Sequence, residues 1–275
     1  MPFIQILVLA IIQGLTEFLP VSSSGHLILV PAVTGWPDQG LAIDVAAHVG
    51  TLVAVLIYFW RDVGRMLGGI VRLLTGRFDP GARLAGLLLI GTIPALIAGY
   101  LIDRYLSEAI RHVAIIGWTL IGFGILLWIA DRIGLTIRRV EHMTVGQALF
   151  VGFAQALAFI PGTSRAGITM TAARLVGYER AEAARFAFLL SIPAISAAGL
   201  WKGYQLYETG AAEQIQAAVL TAGLCAIIGL LAIAFMMAWL KRANFTIFVV
   251  YRLLLGGLIL YLVYVEGWRP VIQDI

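Results

Sequence analysis

The chain has 275 residues, of which 61% are hydrophobic and 12% are charged. Soluble domains contain about 45–50% apolar and about 25% charged residues, so this composition excludes an ordinary soluble domain and indicates a single membrane domain over residues 1–275. The formal net charge of +4 does not require nucleic acid as a partner, because basic loops facing the cytoplasm explain it better in a membrane protein.

The first apolar region, residues 3–35, is interrupted by Pro20-Val21-Ser22-Ser23-Ser24-Gly25-His26. Each half has about 10–17 residues, too few to cross a hydrocarbon core that needs about 20. We therefore expect a re-entrant helical hairpin, which enters the membrane and returns to the same side, with its second helix beginning near Gly25. Non-helical backbone at that depth is tolerated where it is buried in protein or lines a wet cavity.

Three apolar blocks follow, each long enough for one membrane span. They lie at about residues 41–60, 84–102 and 112–130. Between the first two, residues 61–83 form the longest basic stretch, in which Arg61, Arg65 and Arg72 alternate with apolar residues. This pattern predicts an amphipathic helix that binds anionic lipid at the inner membrane surface.

A second interrupted region covers residues 146–177, where Pro161-Gly162-Thr163-Ser164-Arg165 separates two short apolar halves. We expect a second re-entrant hairpin here, for the same reason as in the first region. Three more spans complete the chain, at about residues 183–203, 216–240 and 247–265.

The two interrupted regions resemble each other, since Phe18–Ser23 aligns with Phe159–Ser164 at an offset of 141 residues. Each is followed by three spans, an odd number, so the second copy must be inverted. The sequence predicts an all-α integral membrane protein with six full spans and two re-entrant hairpins. It is built as an inverted repeat of five helices each, over about residues 1–130 and 146–265. Such repeats place a site at their interface near the midplane.

The basic residues predict the orientation in the membrane. Of nineteen Lys and Arg residues, thirteen fall on the side opposite the first hairpin, and two, Arg165 and Arg252, fall within segments. The four on the hairpin side are Arg104, Arg111, Lys202 and Arg269. Positive loops face the cytoplasm, so we expect a bacterial inner-membrane protein with both termini, and the opening of the site, on the periplasmic side.

Ionisable and hydroxyl groups within membrane segments are functional candidates by default. In the first hairpin, Gln13 and Glu17 are four residues apart and share a helix face. Glu17 is a candidate general base, and both are candidate ligands of a divalent cation. Ser22, Ser23 and Ser24 precede a helix start, where free N–H groups favour an anion. Ser23 is then a candidate nucleophile, and His26 a candidate for proton transfer or phosphate contact.

The second hairpin contributes Gly162, Thr163, Ser164 and Arg165 to the same expected site. Gly162 lets the backbone approach a ligand closely. Arg165 offers a planar fork that suits phosphate oxygens, and its charge requires an anionic partner inside a membrane. A diphosphate and an ion pair with Glu17 are both candidates, and the pair could hold Arg165 until substrate arrives.

The runs Gln13–His26 and Pro161–Thr169 resemble the two signatures of the bacterial undecaprenyl-diphosphate phosphatases linked to bacitracin resistance. The resemblance covers essentially the whole chain. It implies a C55 polyprenyl diphosphate as substrate and a divalent cation, Mg²⁺ or Ca²⁺, as cofactor. It also implies that Glu17, Ser23, His26 and Arg165 form the catalytic core.

The chain departs from the family pattern at two positions. Many relatives have Glu where this chain has Gln13, which can orient or ligate but cannot act as a base, so the acid–base work falls to Glu17. Ala166 stands where the family pattern has Ser, which removes a hydroxyl.

The predicted function is hydrolysis of undecaprenyl diphosphate, which recycles the lipid carrier for cell-wall synthesis. The attacking group is left open between Ser23, His26 and water. The main alternative is a flippase or transporter of the polyprenyl phosphate lipid, since inverted repeats with broken helices are typical of secondary transporters. A structural scaffold does not explain Glu17 and Arg165 in apolar surroundings. Membrane lipids are expected partners, and the oligomeric state is left open between a monomer and a homodimer.

Overall fold

The computed structural model describes residues 1–105, 112–134, 136–208 and 215–268, and these ranges are almost entirely helical. The predicted all-α class is therefore confirmed. The helices are α1 (Phe3–Thr16), α2 (Ser23–Thr34), α3 (Gly40–Tyr58), α4 (Trp60–Leu74), α5 (Pro80–Tyr105), α6 (Val113–Ile133), α7 (Val145–Ala156), α8 (Arg165–Leu175), α9 (Arg180–Glu208), α10 (Ile215–Leu240) and α11 (Thr246–Tyr264).

Five of the described helices, α5, α6, α9, α10 and α11, have the length and hydropathy of a membrane span. Helices α3 and α4 meet the same criteria only together, as a pair bent by 84°, and would make a sixth span if counted as one. The bend falls at Phe59, the residue between them, where the predicted block 41–60 ends. The spans therefore lie close to where hydropathy predicted them.

Helix α4 begins the basic stretch and has three distinct faces. Asp62, Met66 and Gly69 are buried, and a methyl group on Gly69 would lie 2.2 Å from the backbone of Ala82 in α5. The other two faces are exposed, one apolar and one basic, and their residues are Leu67, Ile70, Val71, Leu74, Arg61, Arg65 and Arg72. The sequence prediction of an amphipathic helix is thus confirmed for residues 60–74.

Each interrupted region consists of two short helices that flank a break. The first break lies at residues 17–22, between α1 and α2, and the second at residues 160–164, before α8. Helix α2 begins at Ser23, two residues earlier than predicted from Gly25, because Ser22 caps it: its Oγ accepts the N–H of Gly25 at 3.3 Å.

The helices of the two halves pack crosswise. Helix α1 lies along α10, α7 lies along α5, and α6 lies along α11. The contacts are close because small residues line them. A methyl group on Gly14 of α1 would lie 2.8 Å from Ile228, and one on Gly152 of α7 would lie 2.1 Å from the carbonyl oxygen of Gly91. The backbones therefore approach each other with no room for longer side chains.

A buried carboxylate ties three helices together at the end of the molecule that carries most basic residues. Asp131, near the end of α6, pairs with Arg174 at 3.2 Å and with Arg180 at 2.7 Å. Asp62 of α4 likewise pairs with Arg185 of α9 at 2.6 Å. These pairs join α6 to α8 and α9, and α4 to α9.

Candidate active site

The two breaks meet in the interior of the helical bundle. A methyl group on Gly25 would lie 3.6 Å from the Cα of Gly162 and 3.2 Å from Ile116 of α6. Thr119 of α6 donates a hydrogen bond of 2.6 Å to the carbonyl oxygen of Pro161. Residues more than 130 positions apart in sequence therefore form one local structure, as the interpretation of two facing hairpins requires.

The breaks end in the same unusual conformation. Ser22 has φ 77° and Ser164 has φ 72°, and these are the positive-φ residues other than glycine in the described part of the chain. Each side chain caps the helix that follows, since Ser22 Oγ accepts the N–H of Gly25 at 3.3 Å and Ser164 Oγ accepts the N–H of Gly167 at 3.1 Å. A non-glycine residue in this region costs about 1–3 kcal/mol.

This geometry shifts the sequence alignment of the two breaks by one residue. The two caps, Ser22 and Ser164, are 142 residues apart, whereas Pro20 and Pro161, which aligned the two breaks in the sequence, are 141 apart. The difference arises because the second loop has one more residue between proline and cap, and Gly162 in that loop has φ 88°. Ser23 and Arg165, the first residues of α2 and α8, consequently occupy matching positions.

Glu17 lies at the centre of the site. Its side chain is 5% exposed, and its Oε1 accepts a hydrogen bond of 2.5 Å from Arg165 Nη2. Ser23 Oγ donates to the other oxygen, Oε2, at 2.6 Å. The structure thus brings together the predicted base, nucleophile and phosphate-binding arginine. The distance from Ser23 to Glu17 is in the range that general-base catalysis needs.

On the predicted site residues, several buried polar atoms have no hydrogen-bond partner within the described part of the chain. They are Gln13 Oε1, Thr163 Oγ1 and Arg165 Nη1, while Gln13 Nε2 donates to Glu17 Oε2 at 3.2 Å. Unpaired buried polar groups are costly and uncommon, so each suggests a further partner. The acceptor, Gln13 Oε1, could bind a cation, and the two donors, on Thr163 and Arg165, could bind anionic oxygens. Together they fit a ligand that carries anionic oxygens and a bound cation.

The other residues predicted to bind substrate have different surroundings. The hydroxyls of Ser22 and Ser164 are buried and serve as helix caps. Ser24 is exposed, and its Oγ lies 3.3 Å from that of Ser22. The first N–H groups of any helix have no intrahelical partner, so the starts of α2 and α8 offer N–H donors for an anion.

Gly162 is a position that admits no side chain. Besides its φ of 88°, a methyl group there would lie 2.1 Å from Thr119 Oγ1 and 2.7 Å from the carbonyl oxygen of Ile116. The second break therefore packs directly on the backbone of α6, and this contact requires glycine at position 162; its predicted approach to a ligand stays a prediction.

His26 lies beside the site, but both of its ring nitrogens bind groups other than Glu17 and Ser23. Its Nδ1 lies 2.6 Å from the carbonyl oxygen of Ser22, and its Nε2 lies 2.6 Å from the hydroxyl of Tyr251. Tyr251 received no role from the sequence, because a tyrosine in an apolar helix carries no distinctive signal.

Arg252 is the principal site residue that sequence reasoning missed. It is buried in α11, and among the described residues its hydrogen-bond acceptors are all backbone carbonyls. These acceptors, at 3.0–3.2 Å, belong to Pro20, Thr119, Leu120, Gly162 and Thr163. Arg252 therefore contacts both breaks at once. The signal was available, since an arginine within an apolar span is a functional candidate by default.

Comparison with known proteins identifies similar sequences over nearly the full chain. The family model described as bacitracin resistance protein BacA matches residues 6–258. The chain is 51% identical over 271 residues to undecaprenyl-diphosphatase 1 of Rhodospirillum rubrum, with 96% of each chain covered. Over 266 residues it is 49% identical to undecaprenyl-diphosphatase of Ruegeria pomeroyi and 51% identical to that of Roseobacter denitrificans, with 96% of this chain and 100% of each relative covered.

Proposed function

The chain belongs to the family of the bacitracin resistance protein BacA and is an undecaprenyl-diphosphatase of the membrane, and we propose that Glu17, Ser23 and Arg165 carry out its reaction. It hydrolyses undecaprenyl diphosphate to undecaprenyl phosphate and inorganic phosphate. The observation that carries the proposed site is the carboxylate of Glu17, which bonds to Ser23 from one break and to Arg165 from the other.

In the proposed reaction, Arg165 and the N–H groups at the starts of α2 and α8 bind the diphosphate. Positioning and charge stabilisation provide most of the catalysis of phosphoryl transfer. Glu17 takes the proton of the Ser23 hydroxyl. The Ser23 oxygen then forms a bond to the terminal phosphorus as the bond to the bridging oxygen breaks, and undecaprenyl phosphate leaves. Water hydrolyses the phosphoserine in a second step. A water molecule activated by Glu17 in place of Ser23 is the alternative.

We further propose that a divalent cation, Mg²⁺ or Ca²⁺, enters with the diphosphate. Within the described residues, no group of three or more His, Cys, Asp and Glu side chains could hold a metal ion. Mg²⁺ in such sites uses one or two protein ligands together with phosphate oxygens. Gln13 Oε1, which is buried and has no partner among the described residues, and the adjacent carboxylate of Glu17 fit that reduced ligand set. The cation would neutralise charge that develops on the phosphate.

The proposal predicts phosphate release by the purified protein in detergent, and loss of that release in EDTA. Activity that returns with added Mg²⁺ or Ca²⁺ would support the metal, whereas full activity in EDTA would contradict it. No release from folded protein would contradict the phosphatase mechanism at this site and favour lipid transport instead.

Ser23→Ala separates the two candidate attacking groups. If Ser23 forms a phosphoserine, we expect the variant to lose more than ~100-fold in phosphate release, because the nucleophile is removed. Thr34→Ala is the matched control: it removes an exposed hydroxyl at the other end of α2, which donates to the carbonyl oxygen of Val30 at 2.7 Å, and should keep near wild-type activity. Activity of Ser23→Ala above about a tenth of wild type would rule out the covalent route and support direct attack by water.

We propose that the two halves, about residues 1–130 and 146–265, form the inverted repeat, with six spans and two re-entrant hairpins. The matching caps at Ser22 and Ser164 support this arrangement. The crosswise packing supports it as well, because the first helix of each hairpin lies along a long helix of the other half: α1 along α10, and α7 along α5.

We propose further that the basic end of the molecule faces the cytoplasm, so that both termini and the opening of the site are periplasmic. The support is the excess of basic residues at that end, including the exposed arginines of α4. Of the basic residues predicted on the periplasmic side, Arg111 and Arg269 lie outside the described residues.

The proposed partners are the lipid substrate and the surrounding membrane lipids. A homodimer is the candidate assembly, and light scattering of the protein in detergent would test it.

The transport alternative is not favoured by the relatives, which are named for a diphosphatase activity. The geometry also favours hydrolysis over transport, because a serine hydroxyl hydrogen-bonded to a buried carboxylate can be activated to attack phosphorus.

The expected polyprenyl tail would leave the site between helices and lie in the bilayer.

A further inference from the structure

His26 links α2 to α11 through two short hydrogen bonds. Its Nδ1 lies 2.6 Å from the carbonyl oxygen of Ser22, and its Nε2 lies 2.6 Å from the hydroxyl oxygen of Tyr251. The His26 and Tyr251 rings are nearly parallel, with 9° between their planes and 5.7 Å between their centres. Tyr251 thus holds the imidazole at a defined place and in a defined plane.

The chemistry of the two partners determines the protonation of the imidazole. A carbonyl oxygen can only accept, so Nδ1 must carry the hydrogen. In the neutral ring Nε2 then has the free electron pair, and the Tyr251 hydroxyl donates to it. His26 in this form has no nitrogen left to accept the proton of Ser23. Its contacts are those of a side chain that holds neighbouring groups in place.

The group that His26 holds is the strained residue of the first break. Ser22 has φ 77° and ψ 95°, a conformation that persists only where its surroundings enforce it. His26 contacts the Ser22 carbonyl twice, through Nδ1 at 2.6 Å and through its own backbone N–H at 3.3 Å. Ser23 follows directly, so the orientation of the Ser22 peptide decides where Ser23 Oγ lies relative to Glu17.

Neighbouring residues on α11 hold both sides of this strained turn. Arg252 Nη1 donates to the carbonyl oxygen of Pro20 at 3.2 Å, and Tyr251 acts on Ser22 through His26. Residues 20–22 are therefore held between two consecutive side chains of one helix. Helix α11 is far from this turn in sequence, so its side chains can be substituted while Glu17, Ser23 and Arg165 stay as they are.

We propose that Tyr251 is a positioning residue of the reaction: its hydroxyl donates to Nε2 of His26 and holds the ring so that Nδ1–H binds the Ser22 carbonyl, which keeps Ser23 Oγ on Glu17. This inference rests on the function proposed above for Glu17 and Ser23. It assigns His26 a positioning role, where the family resemblance implied a catalytic one.

Tyr251→Phe tests the proposal, because it keeps the ring and removes the hydroxyl. Loss of one hydrogen bond of this kind corresponds to about a tenfold change. We expect kcat for phosphate release to fall about tenfold, with KM changed less than about twofold. Tyr261→Phe is the matched control, since Tyr261 lies on the same helix and donates to exposed Glu266. It should leave kcat unchanged.

A double-mutant cycle shows whether Tyr251 acts through His26. In a His26→Ala background, Tyr251→Phe should cost less than about twofold further activity, because the link is already lost. A further tenfold loss in that background, or an unchanged kcat in the single variant, would overturn the proposal.

Nitrogen-15 NMR of the His26 ring gives a readout that does not depend on activity. The wild-type protein should show the Nδ1–H form alone, with the signal assigned by its disappearance in His26→Ala. Tyr251→Phe should keep that form, because the Ser22 carbonyl remains, but its Nε2 signal should shift as the hydrogen bond from the Tyr251 hydroxyl is lost. An unchanged Nε2 signal in Tyr251→Phe would overturn the proposal. An Nε2–H form in the wild type would overturn the proposal even in an active enzyme. If the wild type released no phosphate, the function proposed for the site would fail, while the NMR result would still decide the contact.

Discussion

Replacing Arg165 by alanine is expected to lower phosphate release about 10²–10³-fold or more. Arg165 binds Glu17 through Nη2, while its buried Nη1 has no partner among the described residues and can donate to a phosphate oxygen. Removing one donor that stabilises developing charge costs about 10²–10³-fold in other enzymes. The measurement is the rate of phosphate release by purified protein in detergent, together with a melting curve to show that the variant is folded.

Arg165→Lys makes the test sharper, because lysine keeps the charge and loses the planar fork. We expect its activity to lie between those of the alanine variant and the wild type. Arg61→Ala is the matched control: Arg61 is exposed on α4, and its guanidinium lies over the Trp60 ring at 5.3 Å. A folded Arg165→Ala protein with more than about a tenth of wild-type activity would exclude this arginine from the reaction.

Arg252→Ala is expected to reduce both stability and activity. The change leaves backbone carbonyls from both breaks and from α6 without their donor, and each unsatisfied buried group costs about 1–3 kcal/mol. A total of about 3 kcal/mol or more would lower Tm by roughly 5–10 °C. Phosphate release should fall as well, because Pro20 and Gly162 would no longer be held by the same side chain.

Arg252→Lys should recover only part of the loss, because one ammonium group cannot reach the five carbonyls that three guanidinium nitrogens contact. Arg132→Ala serves as the control, since this arginine is exposed and lies over the Trp128 ring at 5.4 Å. An unchanged Tm and unchanged activity in Arg252→Ala would show that the two breaks hold their geometry without it.

The positions of the helices could be predicted because the cause is local. A span needs a continuous apolar segment of sufficient length, and the ends of α6 and α10 lie within a few residues of the predicted blocks. The same argument located both breaks, since Pro20 and Pro161 interrupt apolar runs. The 84° bend between α3 and α4 was less accessible, because the sequence around Phe59 contains neither proline nor glycine.

The candidate site could be predicted only in part. Glu17, Ser23 and Arg165 were found because they are polar residues in apolar surroundings, and the structure brings them into contact. The contacts of Arg252 and Tyr251 join residues 89–232 positions apart. No local pattern reports such distant pairs. The start of α2 was predicted near Gly25 and lies at Ser23; the difference of two residues follows from the cap at Ser22, whose positive φ sequence rarely predicts for serine.

The matching positions of Ser23 and Arg165 have a consequence for how such a site can be built. Each is the first residue after a strained serine cap, one in each half of the chain. Two identical half-length chains related by symmetry would present either two serines or two arginines to Glu17. A pairing of serine with arginine requires the two halves to differ at this position. In a single long chain each half of the proposed repeat can carry its own residue there, which suits the asymmetry of the proposed reaction.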